Sequence, residues 1–477
     1  MENKLITALK SFSSAQLRSL RDFVLSPYFN KNETLSNLLL FLMEQIQSEL
    51  PITDEVLFSH LFPNELFDKT KISKIRYKAF ILVEKFIQQQ LLKNKPIESL
   101  ILLLEYYTDH NLTDEFNAIY GKLNEQQSID NQRNSDYYYL KFLIEEAASR
   151  RVTQNQERHQ PPHYEKVEEN LNIFFIARKL ELVCHALSRS KVVTVAFEPD
   201  LLPDVIRHIE SNLDILQHPA INVYYHLYLM LKEPENTAYF YDFQQIINEN
   251  EGFFSAKERK NFHAYLQNYC IAKINTADKE FEYILFQLYD QHLQNGSLFT
   301  EKGELLHTSF KNIVILALRL KELKWSEDFL EKYKNYLPEN TRQDTYQYCL
   351  AKLYFTQKQY QKVLTCLHTA DFQDVFQNIS ARRLTMLTYY ELQEWAALEA
   401  MLNSFRVFLH RNQTIAETHK ISYRNFANFL KKLYELPPNR PDLWQKLSQN
   451  LQKTAAVSEK KWLLEKLEEK NLSEKSL

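Results

Sequence analysis

The chain has 477 residues but only four glycines, whereas a soluble chain of average composition holds about seven per cent glycine. Glycine is the usual residue in left-handed turns and wherever the backbone must approach a ligand closely. Phosphate-binding loops and dinucleotide fingerprints need closely spaced glycines, and Gly121, Gly252, Gly296 and Gly303 form neither pattern. The scarcity excludes those nucleotide-binding motifs and favours helices joined by short polar turns.

Cysteine is also sparse. Cys184, Cys270, Cys349 and Cys366 stand within helical patterns and mostly far apart, which predicts buried thiols in a reducing compartment. Zinc sites need cysteine or histidine in close pairs. The near pairs of this chain either diverge on one helix or flank a diproline, so we expect no metal site and no cofactor.

Long apolar runs are missing as well. No stretch approaches the roughly 20 apolar residues that span a bilayer, and Met1–Lys10 lacks the apolar core of a secretory signal. The formal net charge is −3, which gives no general attraction to nucleic acid or to a membrane surface. We therefore expect a cytoplasmic protein that does not bind membranes.

Helical periodicity is the dominant pattern that is present. One stripe, formed by Leu35, Leu38, Leu39, Leu42 and Ile46, has the spacing of a single helix face. The 31 phenylalanines and 28 tyrosines supply large rings that fill the gaps between helices. The sequence predicts an all-α fold.

Residues 149–163 form the clearest boundary in the chain. They are polar and end in Pro161-Pro162-His163, and a diproline cannot continue a helix. The predicted segments are a helical N-terminal domain (1–148), a polar loop or linker (149–163), a region of helix pairs (164–300), regular repeats (301–412) and a C-terminal helical cap (413–477).

A 35-residue period runs through the predicted repeats. Trp325, Tyr360 and Trp395 are 35 residues apart, each near the predicted start of a helix. Two further series keep the same phase: Leu320, Phe355 and Tyr390, and Leu316, Ala351 and Met386. Each unit should be a helix, a short turn and a second helix, and stacked antiparallel pairs of this kind form an α-solenoid with an extended concave surface.

The stretch Tyr348–Ala370 resembles a tetratricopeptide repeat, and 382–405 matches the same motif more loosely. The matching positions are Leu350 and Ala351 for the motif's Leu-Gly pair, Tyr354 and Tyr360 for its aromatic residues, and Val363 and Ala370 for its small residues. The motif's second glycine is replaced by Lys358 and Gln393, which predicts an irregular superhelix. The whole chain also resembles uncharacterised bacterial helical-repeat proteins, and that resemblance implies the fold only.

In tetratricopeptide repeats the first helix of each pair lines a concave groove. Carried over by register, the resemblance implies these groove positions for a partner: Lys321, Tyr348, Lys352, Phe355, Arg383, Tyr390 and Glu391. The Lys and Asn set with which some members clamp a peptide carboxylate is absent here. An alternative is that the rings are ordinary packing residues and that the charges are solvated.

The segment 401–453 is unusually basic, with nine Lys or Arg against three acids. Its candidate nucleic-acid contacts are Arg406, Arg411, Arg424, Lys431 and Lys432. Basic residues beside aromatic rings can bind phosphates and stack bases. The alternative is that the rings face the core while the bases face water.

These observations favour a non-enzymatic interaction scaffold or adaptor that binds a peptide or protein on a concave helical surface. The alternative is a nucleic-acid-binding regulator that uses the basic face of 401–453. An enzyme is disfavoured because no local catalytic signature is found, and it would need a deep pocket with convergent acids.

Overall fold

A computed structural model of the chain describes residues 4–129, 131–154, 163–190, 197–276, 278–372, 374–437 and 440–475. Within these ranges the protein has 23 α-helices, three short 3-10 helices and no strand, and a single isolated bridge joins Phe299 to Leu305. The predicted all-α fold is therefore confirmed. No helix in these ranges combines the length and the apolar character that crossing a membrane requires.

The chain divides into two compact units, Met1–Ser255 and Ala256–Leu477. The helices of the first unit are α1 (Lys4–Lys10), α2 (Ser14–Leu25), α3 (Glu33–Gln47), α4 (Asp54–Leu61), α5 (Lys69–Lys93), α6 (Pro96–Asp109), α7 (Thr113–Ile129), α8 (Ser135–Gln154), α9 (Tyr164–Ser190), α10 (Leu202–Ser211), α11 (Pro219–Lys232) and α12 (Ala238–Asn250), with 3-10 helices at Leu213–Gln217 and Glu251–Phe253. The five-segment division made from the sequence stays a prediction.

Helices α1 to α5 share one apolar core. Helix α3 begins after Asn32, whose side chain accepts a hydrogen bond from the backbone N–H of Leu35 and so satisfies a free donor of the first turn. The four leucines of the predicted stripe are buried against this core, and Ile46 is partly buried beside them. The periodicity of the sequence thus identified the inward face of α3.

The start of the predicted linker is helical. Helix α8 continues to Gln154, six residues past the expected end at 148. Arg151 is buried there, where its guanidinium donates to Asn117 Oδ1 at 2.6 Å and lies over the Phe116 ring. Polar composition alone suggested a loop, whereas these partners hold the basic residue inside the fold. Residues 155–162 of the predicted linker lie outside the described residues.

The second unit is a succession of helices in which each packs against its neighbours in the chain. They are α13 (Ala256–Asn275), α14 (Glu280–Gln294), α15 (His307–Arg319), α16 (Leu323–Tyr333), α17 (Glu339–Thr356), α18 (Tyr360–His368), α19 (Val375–Glu391), α20 (Trp395–Arg411), α21 (Glu417–Glu435), α22 (Pro441–Lys453) and α23 (Lys460–Lys475), with a 3-10 helix at Lys334–Tyr336. Helix α17 also contacts α15 and α19. These contacts are consistent with stacked helix pairs.

The turns within the helix pairs depend on left-handed residues that are not glycine. Lys358 and Gln393 stand where the tetratricopeptide motif has its second glycine, and their φ angles are 60° and 59°. After α19, the Gln393 N–H donates to the carbonyl of Tyr390 and the Glu394 N–H to that of Tyr389, which is the Schellman pattern that ends a helix. Left-handed helix ends therefore form in this chain without glycine.

Seven non-glycine residues have positive φ in the described ranges: Glu49, Asn111, Leu201, Lys321, Lys358, Gln393 and Glu459. Their side chains cost energy in this conformation, and the hydrogen bonds of the helix ends offset that cost.

All four cysteines are free and buried, which confirms the prediction of buried thiols. Burial raises the pKa of Cys270 and of Cys349 to about 12, and it also raises the pKa values of Cys184 and Cys366.

Candidate functional site

Most of the predicted groove positions contact another part of the same chain. Tyr348 and Tyr390 are buried, which fits the packing alternative for these two rings. Phe355 is partly buried against the apolar core that contains Tyr390. Lys321 follows α15, where it adopts a left-handed conformation and is exposed. These four positions do not form one open surface.

The acidic residue that precedes α23 binds the basic groove positions. Glu459 forms an ion pair with Arg383, and both side chains are partly buried. Burial alone would raise the pKa of the Glu459 carboxyl, but the positive charges of Lys352 and Arg383 outweigh it and lower that pKa. The carboxylate therefore stays charged and fixes the start of α23.

A second ion pair joins α19 to α23, and here α19 supplies the acidic residue and α23 the basic one. Glu391 accepts a hydrogen bond from Trp462 Nε1 at 3.1 Å and pairs with Lys466 Nζ at 2.9 Å. The Trp462 ring meets Tyr390 edge-on, with ring centroids 5.1 Å apart. Four of the seven predicted groove positions thus contact Glu459, α23 or its core, and partner binding at the groove positions stays a prediction.

Sequence reasoning treated the last helix as a charged cap and missed these contacts. A signal was present, because Trp462, Leu463, Lys466 and Leu467 recur at helical spacing, and Leu463 and Leu467 are buried. The pattern marks an inward face with one lysine on it. It does not reveal which earlier helix that face meets.

An apolar hollow lies between α13, α14 and α15, which we call the isoleucine hollow. It has a volume of about 180 Å³ and is lined by Ile271, Ile274, Asn275, Leu285, Tyr289, Asn312, Ile315, Leu316 and Arg319. Ile315 is 37% exposed. Arg319 at the rim pairs with Glu282 at 2.9 Å. Apolar walls with a few polar groups are typical of ligand pockets.

The residues of the predicted basic face have different surroundings. Arg406 and Arg424 line a cleft between α20 and α21 together with His410 and Lys420. The other three candidates, Arg411, Lys431 and Lys432, do not line it. Lys431 lies 3.4 Å from Glu435, and the Lys432 ammonium lies over the Phe429 ring.

Two polar clusters were not foreseen from the sequence. In the second unit the rings of His263 and His292 are buried and in direct contact, and the Gln267 amide nitrogen lies 2.9 Å from His292 Nδ1. Burial, together with His263, lowers the pKa of His292 to about 3. The members of this cluster are 25 and 29 residues apart, so no local motif pointed to it.

The second cluster lies in the first unit. The Glu145 carboxylate accepts from the Tyr120 hydroxyl at 3.2 Å, and its Oε2 is 2.7 Å from His163 Nδ1. Glu145 is buried, and these two partners satisfy its carboxylate oxygens. The contact between His163, which precedes α9, and Glu145 on α8 holds the start of α9 against α8.

Within the described ranges, no three His, Cys, Asp or Glu side chains are placed to hold a metal ion together. The chain matches no model of a known protein family, and neither a curated protein nor a solved structure matches it.

Proposed function

We propose that the protein is a non-enzymatic interaction scaffold and that it binds a segment of a protein partner at the isoleucine hollow. The observation that carries the proposal is the exposure of Ile315 beside a cavity with further apolar residues on two other helices. An apolar side chain at the rim of such a cavity gains stability when a partner removes it from water.

The dimensions of the hollow suit an anchor residue. Its volume of about 180 Å³ is that of one or two side chains rather than of a larger ligand. Interfaces commonly depend on a few apolar or aromatic anchors that fill pockets of this kind. Asn275, Asn312 and Arg319 at the rim would bond the partner's backbone.

The predicted groove supports this location indirectly. Four of its seven positions contact Glu459, α23 or the core around them, so a partner there would compete with contacts that the chain makes with itself. The isoleucine hollow has no such internal occupant among the described residues. The nucleic-acid alternative has less support, because two of its five candidate residues line one cleft and Lys431 is close to Glu435.

The test compares two isoleucines that are similarly exposed. Ile315→Glu places a charge at the hollow, and Ile421→Glu places the same charge on α21, where Ile421 is 43% exposed. Tagged wild-type protein and both variants are used to capture partners from a native lysate, with and without nuclease. We expect one protein partner that survives nuclease, is retained by Ile421→Glu and is lost with Ile315→Glu.

Two outcomes would contradict the proposal. Equal recovery by both variants would exclude the isoleucine hollow as the binding site. A complex that disappears after nuclease treatment would favour the nucleic-acid alternative instead.

A further inference from the structure

A cleft between α20 and α21 brings basic side chains from both helices together. Arg406 and His410 are four residues apart on α20, and Lys420 and Arg424 are four apart on α21. Residues at this spacing lie on the same side of a helix. Two pairs of nitrogen-bearing side chains therefore line the cleft from opposite walls.

The cavity between these walls has a volume of about 490 Å³, within the range of pockets that hold small molecules. At one end the Arg406 guanidinium donates to Asn428 Oδ1 at 3.0 Å, which holds the arginine against the second wall. Leu409 contributes to the lining and is buried. The cleft is thus a shaped, polar cavity.

The charge within the cleft is unbalanced. Glu417 is the one acid among the described lining residues, and it pairs with Arg424. Neither Arg406 nor Lys420 forms an ion pair with a described residue. Arg424 has five N–H donors, so it can retain Glu417 and still bond a second anion. Two positive charges therefore remain without an acid to balance them.

We propose that this cleft binds a small phosphorylated ligand, whose phosphate groups contact Arg406, Lys420 and Arg424. Guanidinium groups match phosphate oxygens with paired N–H bonds, and a lysine ammonium adds a mobile point charge. Asn428 and His410 add polar groups for the rest of the ligand. The proposal concerns a second site of the protein and does not depend on the isoleucine hollow.

A small ligand is favoured over a nucleic-acid strand by where the basic residues lie. A strand presents many phosphates in a row, and proteins bind it through basic residues that follow its backbone. Here Arg411 and Lys432 do not line the cleft, and Lys431, which follows Arg424 by two turns on α21, is already close to Glu435. The cation set therefore fits one or two phosphate groups held in one place.

The test is calorimetric titration of the full chain with pyrophosphate, with a nucleoside triphosphate and with a single-stranded RNA oligonucleotide, in chloride buffer at low ionic strength. The cleft variant is Arg406→Gln combined with Lys420→Gln. The matched control is Arg411→Gln combined with Lys453→Gln, which removes two charges outside the cleft. We expect one saturable phosphate site, weakened about tenfold or more by the cleft variant and little changed in the control.

Lys420→Gln alone serves as a second variant, because Lys420 makes no ion pair with a described residue whose loss would disturb folding. Thermal unfolding of every variant is compared with that of the wild type. The proposal is overturned if neither phosphate compound binds saturably, if the control weakens binding as much as the cleft variant, or if RNA binds while both small compounds do not.

Discussion

Acid should destabilise the second unit through its buried histidine pair. His263 and His292 are 6% and 1% exposed, and their ring nitrogens are in contact. In a neutral pair one ring nitrogen can donate while the other accepts. Protonation of either ring would place a charge in the core, and burial with the neighbouring ring lowers the pKa of His292 to about 3.

The size of the effect follows from that lowered pKa. In the unfolded chain a histidine has a pKa of about 6.5, so as the pH falls the unfolded state binds a proton that the folded state does not. The contribution of His292 to stability is therefore complete above pH 6.5 and is lost as the pH falls towards 3. Between pH 7 and pH 5 the free energy of unfolding should decrease by about 2 kcal/mol. Any folded-state pKa below about 4 gives nearly the same value over this interval.

The measurement is urea unfolding at pH 7 and at pH 5, followed by tryptophan fluorescence. All four tryptophans, Trp325, Trp395, Trp444 and Trp462, belong to the second unit, so their fluorescence reports on the unit that contains the pair. His292→Gln keeps a polar side chain but does not titrate, and His419→Gln on α21 is the control because His419 is exposed.

Wild-type protein and His419→Gln should each lose about 2 kcal/mol more than His292→Gln does between the two pH values. If all three proteins lose stability in parallel, within about 0.5 kcal/mol, the usual range of surface effects, the reasoning about the buried pair is refuted.

Three further predictions concern the repeats of the second unit, and chemical denaturation of each variant checks them. Gln393→Gly should raise the free energy of unfolding by about 0.5–1 kcal/mol, because relief of the left-handed strain exceeds the entropic cost of glycine. The control Ala400→Gly, within α20, should lower the free energy of unfolding by about 1 kcal/mol. A loss of stability at both positions would contradict this prediction. Trp395→Ala should cost about 1–2 kcal/mol rather than the 3–5 kcal/mol of a fully buried ring, since Trp395 is 39% exposed. A larger loss would mean that the ring contributes more to helix packing than its exposure indicates. Glu459→Gln should cost about 1–3 kcal/mol, because the amide oxygen can still accept from Arg383 but no longer offsets the charge of the guanidinium. An unchanged stability would show that the hydrogen bond suffices without the negative charge.

The helices could be read from the sequence because their signals are local. Tyr360 and Trp395 are the first residues of α18 and α20, and Trp325 is the third residue of α16. The 35-residue period predicts where the second helix of each unit starts, because the turn that precedes it recurs at the same place in every unit. The stripe on α3 was equally readable, since a helix face depends only on the spacing of its own residues.

The contacts of the candidate sites could not be predicted in the same way. Glu459 and Arg383 are 76 residues apart, and His263 and His292 are 29 apart. Which charges meet across such separations depends on how the intervening helices stack, and composition carries no information about that. The end of α8 was predicted too early for the same reason. The polar partner that holds Arg151 inside the fold, Asn117, lies on a different helix.

Because every thiol is buried, alkylating reagents should not modify the native protein. The rate of cysteine modification therefore measures how often the fold opens. Only the thiolate reacts, and each sulfur must first reach solvent. Cys184 belongs to the first unit, while Cys270, Cys349 and Cys366 belong to the second. A single alkylation time course read by peptide mass spectrometry would therefore give separate opening rates for the two units, with no label or mutation introduced.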